Sequence, residues 1–340
     1  MEKVAVVILN WNGKSFLQKF LPSVTSFSQN ENTQIYVADN GSTDTSISFL
    51  KTNYPDIKII ELPVNYGFAG GYNEALKQVD AEYYVILNSD VEVTENWIDP
   101  VIDYMDKNPK TAACQPKILA HYNKESFEHA GAAGGFIDKF GFPFCRGRIF
   151  DKLEKDEGQY NEIESIFWAT GACMFIRAKL FHELGGFDAD FFAHMEEIDL
   201  CWRLKNRGYE IKYIPHSKIY HVGGGTLPNN NPRKIYLNFR NNLFMLYKNL
   251  PSSKFHRIMF IRLILDGIAA LKFFFGFEIQ QSLAVLKAHY SFYQKLSVYR
   301  KKRAALINYN NKSALSEIYP HSIVYNYYVK RIYKFEKLHF

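Results

Sequence analysis

The sequence predicts an α/β protein: a mostly parallel sheet with covering helices, followed by a C-terminal helical, basic extension. Three observations carry that prediction. Short apolar runs alternate with longer stretches of helical spacing through the first 120 residues, as strands joined by right-handed crossovers require. The apolar runs end in clusters of Asn, Asp, Gly and Ser, residues that suit turns. The charge is also divided, since residues 251–340 hold 15 Lys+Arg against 4 Asp+Glu while residues 1–250 hold 26 against 31.

The run VAVVIL (4–9) has no polar face and predicts a fully buried strand. SFLQKFLPSVTSF (15–27) has helical apolar spacing, and Pro22 is expected to kink or end it. TQIYVADNGS (33–42) reads as strand then turn, SISFLKTNY (46–54) as helix, IKIIELP (57–63) as strand, GGYNEALKQV (70–79) as helix and YYVILN (83–88) as strand. Residues 91–165 lose this alternation, and Gly131, Gly134, Gly135, Gly141 and Gly147 suggest a long shaped loop. WATGACMFIRA (168–178) reads as another buried strand, EEIDLCWRLKNRG (196–208) as a helix stopped by Gly208, and YEIKYIP (209–215) and SKIYHV (217–222) as strands.

From about residue 233 the pattern is helical and aromatic. Within it, IMFIRLILDGIAALKFFFGF (258–277) has the length of a membrane span, but Arg262, Asp266 and Lys272 interrupt it. Each such charge costs ~2.5–3.5 kcal/mol at span depth, so a helix packed on protein or lying at an interface is expected instead. The chain thus divides into a main domain over 1–250, with halves 1–120 and 121–250, and an extension over 251–340.

With 47% hydrophobic and 16% aromatic residues the chain can bury a sizeable core, which argues against disorder. Cys114, Cys145, Cys173 and Cys201 form no C-x-x-C. That spacing fits neither a zinc site nor a disulfide framework and suits a reducing compartment. The N-terminal MEKVAVVILNWNG lacks the long apolar region of a signal peptide. A Walker A loop is excluded, because Ile8 stands where the first glycine before Gly13-Lys14-Ser15 must be. A dinucleotide fingerprint is excluded too, since GFAGG (67–71) follows the third strand and not the first.

Four polar strand ends remain: Asn10-Trp11-Asn12, Asp39-Asn40-Gly41-Ser42-Thr43-Asp44, Asn65-Tyr66-Gly67-Phe68-Ala69-Gly70-Gly71 and Asn88-Ser89-Asp90. Singly, each is an ordinary turn. Together, at the carboxyl edge of a parallel sheet, they would line one ligand cleft.

The runs VVILNWNG, VADNGSTD, NYGFAGGYN and LNSD, continued by WATGACMFIR, GGFDADFFAHMEEIDLCWRLKNRGY and YHVGGGT, resemble the inverting family 2 glycosyltransferases of GT-A fold. They are more closely similar to the bacterial rhamnosyltransferase-like branch. The likeness covers residues 3 to about 245. It implies a nucleotide-diphospho-sugar transferase with a Rossmann-like sheet and a divalent cation, Mn or Mg, on the donor diphosphate. Asn88, Ser89 and Asp90 take the place of the acidic strand-end motif. Asp90 would be the metal ligand, and Asn88 stands where many relatives carry Asp. The physics agrees, because a hard cation held by carboxylate oxygen neutralises a departing diphosphate. Asp39 is placed to read the nucleobase, against its ordinary use as a turn cap. Asn10 and Asn12 would edge the base pocket, while Asn65, Gly67 and Gly70 shape the loop beside the donor.

In MEEIDLCWR the resemblance makes Glu197 the general base, which takes the acceptor hydroxyl's proton. Glu196 and Asp199 are the other catalytic candidates. All three acids also suit a helix N-terminus, and Asp199 is spaced to pair with Arg203. His221 would be a late metal ligand or diphosphate contact, with Gly223 to Gly225 forming a closing loop. Trp168 and Gly171 fall where relatives form the acceptor platform, against a core role for the tryptophan. His129, Arg146 and Arg148 are candidates for acceptor phosphate.

In the extension, RKKR (300–303) and interleaved Tyr290, Phe292, Tyr293 and Tyr299 suit an anionic membrane surface. Nucleic acid shares that charge signature, but the catalytic half points to sugars. The expectation is a glycosyltransferase on the cytoplasmic membrane face, peripheral to it, moving rhamnose or another hexose from a nucleoside-diphosphate sugar. The acceptor is a glycan or a polyprenyl-diphosphate-linked sugar. A nucleotidyltransferase and a degenerate sugar-binding scaffold stay open as alternatives.

Overall fold

Alternation of buried strand and covering helix fixes the architecture of this computed structural model, which describes residues 2–28, 31–223, 231–306 and 315–340. The first elements are β1 (Glu2–Asn10), α1 (Lys14–Ser28), β2 (Thr33–Asn40), α2 (Ser46–Asn53), β3 (Lys58–Leu62), α3 (Gly67–Leu76) and β4 (Ala81–Asn88). Then come β5 (Val91–Val93), α4 (Asp99–Lys107), β6 (Thr111–Ala120), β7 (Asn123–Phe127), β8 (Gly135–Asp138), β9 (Pro143–Cys145), β10 (Arg148–Ile149), β11 (Lys152–Leu153) and β12 (Glu164–Ser165). The chain continues through β13 (Cys173–Arg177), α5 (Ala178–Glu183), α6 (Glu196–Asn206), β14 (Glu210–His221) and α7 (Pro232–Asn249). It ends in α8 (Ser252–Phe275), α9 (Ile279–Gln294), α10 (Leu296–Leu306), β15 (Ile318–Tyr319) and α11 (Ile323–Tyr328).

The main sheet runs β12-β14-β6-β13-β4-β1-β2-β3, with β5 on β14 and β7 on β6. β1 pairs in parallel with β2 and β4, and β6 with β14, while β13 lies antiparallel between β4 and β6. The carboxyl ends of β1, β2, β4, β6 and β14 therefore share one edge. Successive side chains face opposite sides of a strand. Val4, Val6 and Ile8 accordingly pack with Leu17 and Leu21 of α1 and Met105 of α4. Ala5 and Val7 pack on the other face with Ala69 and Tyr72 of α3. Both faces being covered, the strands read as unbroken apolar runs. All four cysteines are free and buried.

Three expectations change. Of the two outcomes expected at Pro22, the helix end is the one overturned, since α1 continues through it; Pro22 and Gln18, whose carbonyl it cannot serve, are both exposed to water. Residues 91–165 are no loop. They supply β6, a long central strand, and most of a second sheet of order β11-β10-β9-β8-β15. Polar Gln115 and Lys117 disguised β6, yet both are buried and partnered: Gln115 donates to the Gly131 carbonyl (3.2 Å) and Lys117 pairs with Asp156 (2.7 Å). The two strands expected over 209–222 are one, β14, with its register shifted between Ile214 and Lys218 around Pro215. After α10 the chain returns to the body. β15 pairs with β8, and Phe335 and Phe340 pack on Phe136 and Phe144. No helix among the described residues is long and apolar enough to cross a membrane.

Candidate active site

Strand register assembles the first part of the site. Asn10 lies opposite Asp39, and Leu9 opposite Asn88. Asn10 Nδ2 donates to Asp39 Oδ1 at 3.0 Å and is buried, while Asp39 Oδ2 accepts from the Ser42 amide at 2.9 Å. Asp39 thus caps its own turn and holds Asn10 in place. Asn12 is exposed with φ +50°, and its Oδ1 accepts from the Thr43 and Asp44 amides. Asn65 Oδ1 accepts from the Gly67 amide (2.8 Å) and from Asn40 Nδ2 (3.1 Å), closing the turn into α3. Gly67 has φ +75°, and a Cβ there would lie 2.5 Å from the Phe192 ring, so only glycine fits. Gly70 packs under Tyr66.

The second part gathers at the end of β4. Val91 pairs with His221 across β5 and β14, which brings Asp90 to the histidine. His221 Nε2 lies 3.1 Å from Asp90 Oδ1 and 3.4 Å from Asn88 Nδ2; its Nδ1 lies 3.1 Å from Glu128 Oε2. Glu128 in turn accepts from the Ala130 amide. Burial alone would lower the imidazole's pKa, but the carboxylates of Asp90 and Glu128 outweigh it and hold the ring up to about 10. Burial would likewise raise Glu128, and the charge of His221 instead holds it at about 2. Glu128 escapes sequence reading because its partner is remote in the chain and nothing local marks it.

The donor set suits a divalent cation. Adjacent ligands of an octahedral ion bound at about 2.1 Å stand about 3 Å apart, close to the separation of Asp90 Oδ1 and His221 Nε2. Turning the Asn88 amide would offer its oxygen as a third ligand. Glu128 on the far ring nitrogen is the outer carboxylate that ligating histidines commonly use. No group of three His, Cys, Asp or Glu among the described residues surrounds a single point, so such an ion would draw its other ligands from substrate and water.

The third part is the N-terminus of α6. Phe192, His194 and Met195 have φ of +65°, +71° and +74°, strained values for bulky residues. The Phe192 carbonyl accepts from the amides of Phe68 and Ala69, tying this turn to α3 beside the donor edge. Out of it project Glu196, buried, and Glu197, half-buried, each with one oxygen lacking a hydrogen-bond partner among the described residues. Burial raises both carboxyls above their ordinary range, and the neighbouring charge of Glu197 pushes Glu196 further. No hydrogen bond or ion pair joins them to Asp90 or His221.

Asp199 differs. Fully buried, its carboxylate accepts from Arg203 (2.8 Å), Lys248 (2.9 Å) and Asn249 (2.8 Å). It anchors α6 to α7, with both oxygens engaged by these donors, a structural role that corrects its candidacy as a catalytic acid. Two acceptor candidates are corrected likewise. Trp168 is buried, its Nε1 donating to the Phe136 carbonyl at 2.9 Å and its ring closed off by Gly135. Arg146 is buried over Tyr160 and Tyr213, donating to the Ala133 carbonyl and Glu164. Gly171 stays at the edge, against Phe68. Arg148 interacts electrostatically with His129, whose pKa falls to about 4 through burial and then through that positive charge. Ser89 makes no contact that bears on the site. Gly223 abuts Glu128; Gly224 and Gly225 lie outside the described residues.

Known proteins bear on this arrangement. The family described as Glycosyl transferase family 2 matches residues 5–185. The chain is 26% identical over 231 residues to the N-acetylglucosaminyl-diphospho-decaprenol L-rhamnosyltransferase of Mycobacterium tuberculosis, covering 64% of this chain and 75% of that one. It is 25% identical over 231 residues to the rhamnosyltransferase WbbL of Escherichia coli, covering 64% and 83%. A crystal structure of GalNAc-T7 with UDP, GalNAc and Mn2+ superposes with TM-score 0.56 at 16% identity over 73% of this chain and about half (48%) of that one, a likeness of GT-A fold. With the matched segment holding β1 to β4, the Asn88–Asp90 strand end and β13, the chain belongs to glycosyl transferase family 2.

Proposed function

We propose that the chain transfers a sugar, rhamnose or another hexose, from a dTDP- or UDP-sugar to a lipid-linked or polysaccharide acceptor, with inversion. One observation carries the proposal: Asp39, Asn88, Asp90 and His221 lie at one sheet edge, and the turn that carries Glu197 is tied to that edge through Phe192. The relatives named for rhamnosyl transfer, one onto a decaprenol-linked sugar, support the choice of substrates.

Asn10 and Asp39 border the nucleobase, and Asn65, Gly67 and Gly70 shape the loop beside the donor. Asp90, His221 and Asn88 would hold a divalent cation, Mn or Mg, which when bound neutralises the departing diphosphate. Glu197 takes the acceptor hydroxyl's proton as that oxygen bonds to the anomeric carbon. The bond from that carbon to the diphosphate oxygen breaks, and its electron pair leaves with the nucleoside diphosphate. Arg148 and His129 face the acceptor side. We further place the catalytic unit in residues 1–250, the remainder serving attachment at the cytoplasmic face of a membrane.

The test is Glu197→Gln. Transfer, followed as nucleoside diphosphate release, should fall by roughly 10²–10⁴ while calorimetric donor binding persists; near-normal turnover would remove Glu197 from the role. Release of pyrophosphate in place of nucleoside diphosphate would point to nucleotidyl transfer.

A further inference from the structure

Helix α8 is turned inside out. Its charged residues Arg262 and Asp266 are buried against the body. Arg262 Nη2 lies 3.1 Å from Asp266 Oδ1, its Nη1 donates to the Phe140 carbonyl and to Asn242, and its guanidinium stacks 4.0 Å from the Phe142 ring centre. Asp266 Oδ2 meets His289 of α9 at 3.0 Å. The outward face is apolar instead: Phe260, Ile264, Ile268, Leu271 and Phe275 are all exposed. They recur at the spacing of one helix stripe. Antiparallel α9 does the same with Ile279, Leu283, Leu286, Tyr290 and Tyr293, and the turn between the helices presents Phe277, 91% exposed. Two of the three charges that interrupt the apolar stretch in sequence, Arg262 and Asp266, are thus absent from the surface the hairpin offers, while Lys272 stays exposed.

We propose that this hairpin is the membrane-docking element, lying in the interface of an anionic bilayer with both apolar stripes submerged. An apolar face this continuous marks an interaction site. Charge complementarity identifies the occupant. Lys254, Arg257, Lys272 and Lys287 are exposed on the hairpin, and Glu278 is its one exposed acid among the described residues. A basic rim beside an apolar stripe fits anionic headgroups above acyl chains, whereas a second copy docking face to face would set that rim against itself. No described helix is fit to span, so the hairpin lies on the membrane. Of the basic run 300–303, Lys302 is committed to Asp188 and Asp190, and Arg303 donates to the Tyr247 carbonyl, so that run is not the main anchor. The proposal deepens the lipid-linked acceptor reading and rests on it for its purpose, though not for its test.

The experiment is co-sedimentation of the full chain with phosphatidylcholine vesicles, with and without phosphatidylglycerol. The parent should pellet with the anionic vesicles and weakly with the neutral ones. Ile268→Glu combined with Leu286→Glu should reduce partitioning roughly a hundredfold, and Phe277→Glu in the turn should reduce it by a smaller factor. Circular dichroism should be unchanged for both, since these side chains touch water in the folded protein. Calorimetric donor binding by the same variants should match the parent. Failure of donor binding in every form, with pelleting intact, would defeat the transferase reading and leave the docking claim standing. Unchanged pelleting of the variants, or a vesicle-free dimer that the substitutions convert to monomer, would overturn the docking claim.

Discussion

Two acidic centres of this protein are built on opposite principles. At the end of β4, Asp90 and Glu128 flank His221, and the two carboxylates share the one imidazole. At the start of α6, Glu196 and Glu197 stand side by side, each with an oxygen that no described residue satisfies. The paired centre stabilises a cation, whether the imidazolium or an ion that replaces its proton. The unpaired centre suppresses negative charge, the condition in which a carboxylate gains from accepting a proton. Asp199 shows that burial alone does not make such a centre: it is more deeply buried than Glu197, yet three donors satisfy its carboxylate.

The sharpest way to break the comparison is to exchange two of the three acids of α6, Glu197 and Asp199, for their amides. Glu197→Gln should cost roughly 10²–10⁴ in transfer, the usual contribution of a positioned base, with folding intact. Asp199→Asn should do the reverse. Arg203 and Lys248 would lose a buried counter-charge, a loss of about 3–5 kcal/mol in stability, read as a lowered denaturation midpoint. The protein that remains folded should turn over nearly as the parent does. If Asp199→Asn folded normally and lost transfer, the roles of the two acids would be exchanged.

How far this contrast was legible in the sequence depended on range. The strands β1 to β4 and their polar ends could be read because each is a local pattern, an apolar run followed by turn residues. Glu197 and Asp90 came from motif resemblance. What could not be read was long-range pairing. Glu128 meets His221 only because β7 and β14 flank β6. Trp168 and Arg146 looked like ligand residues and are core, since their partners, the Phe136 carbonyl of β8 and the Ala133 carbonyl of the turn before it, lie in structure that the glycine-rich segment conceals. Gln115 and Lys117 hid a central strand because a buried polar residue is only recognisable once its partner is known.

Glu128→Gln tests the paired centre. The amide keeps the shape but loses the charge that orients the far ring nitrogen of His221. Metal affinity, measured by calorimetry with Mn2+ in the presence of donor, should fall about 10–100-fold. Transfer at saturating metal should recover most of the parent rate. An unchanged affinity would show that His221 does not ligate and that Asp90 works without it.

The smallest effect expected is also the most discriminating within the unpaired centre. Burial and the charge of Glu197 both raise the Glu196 carboxyl, so Glu196 keeps its proton when Glu197 ionises. A protonated carboxyl and an amide are close in shape, and Glu196→Gln should therefore stay within about threefold of the parent rate. The acid limb of the rate profile reports Glu197. Activity should fall about tenfold per pH unit below a midpoint above the ordinary carboxylate range, in parent and Glu196→Gln alike. Stability supplies an independent reading of the same groups. A carboxyl raised by folding binds its proton more tightly in the native state. It contributes fully below its unfolded pKa, and that contribution is lost as pH rises through its raised folded value. Thermal melts should then show Glu196→Gln gaining on the parent as pH rises past the ordinary carboxylate range and converging with it in acid. A variant that gains nothing at neutral pH would mean that Glu196 is ionised and satisfied in the folded protein, and the division of roles between the two glutamates would fall with it.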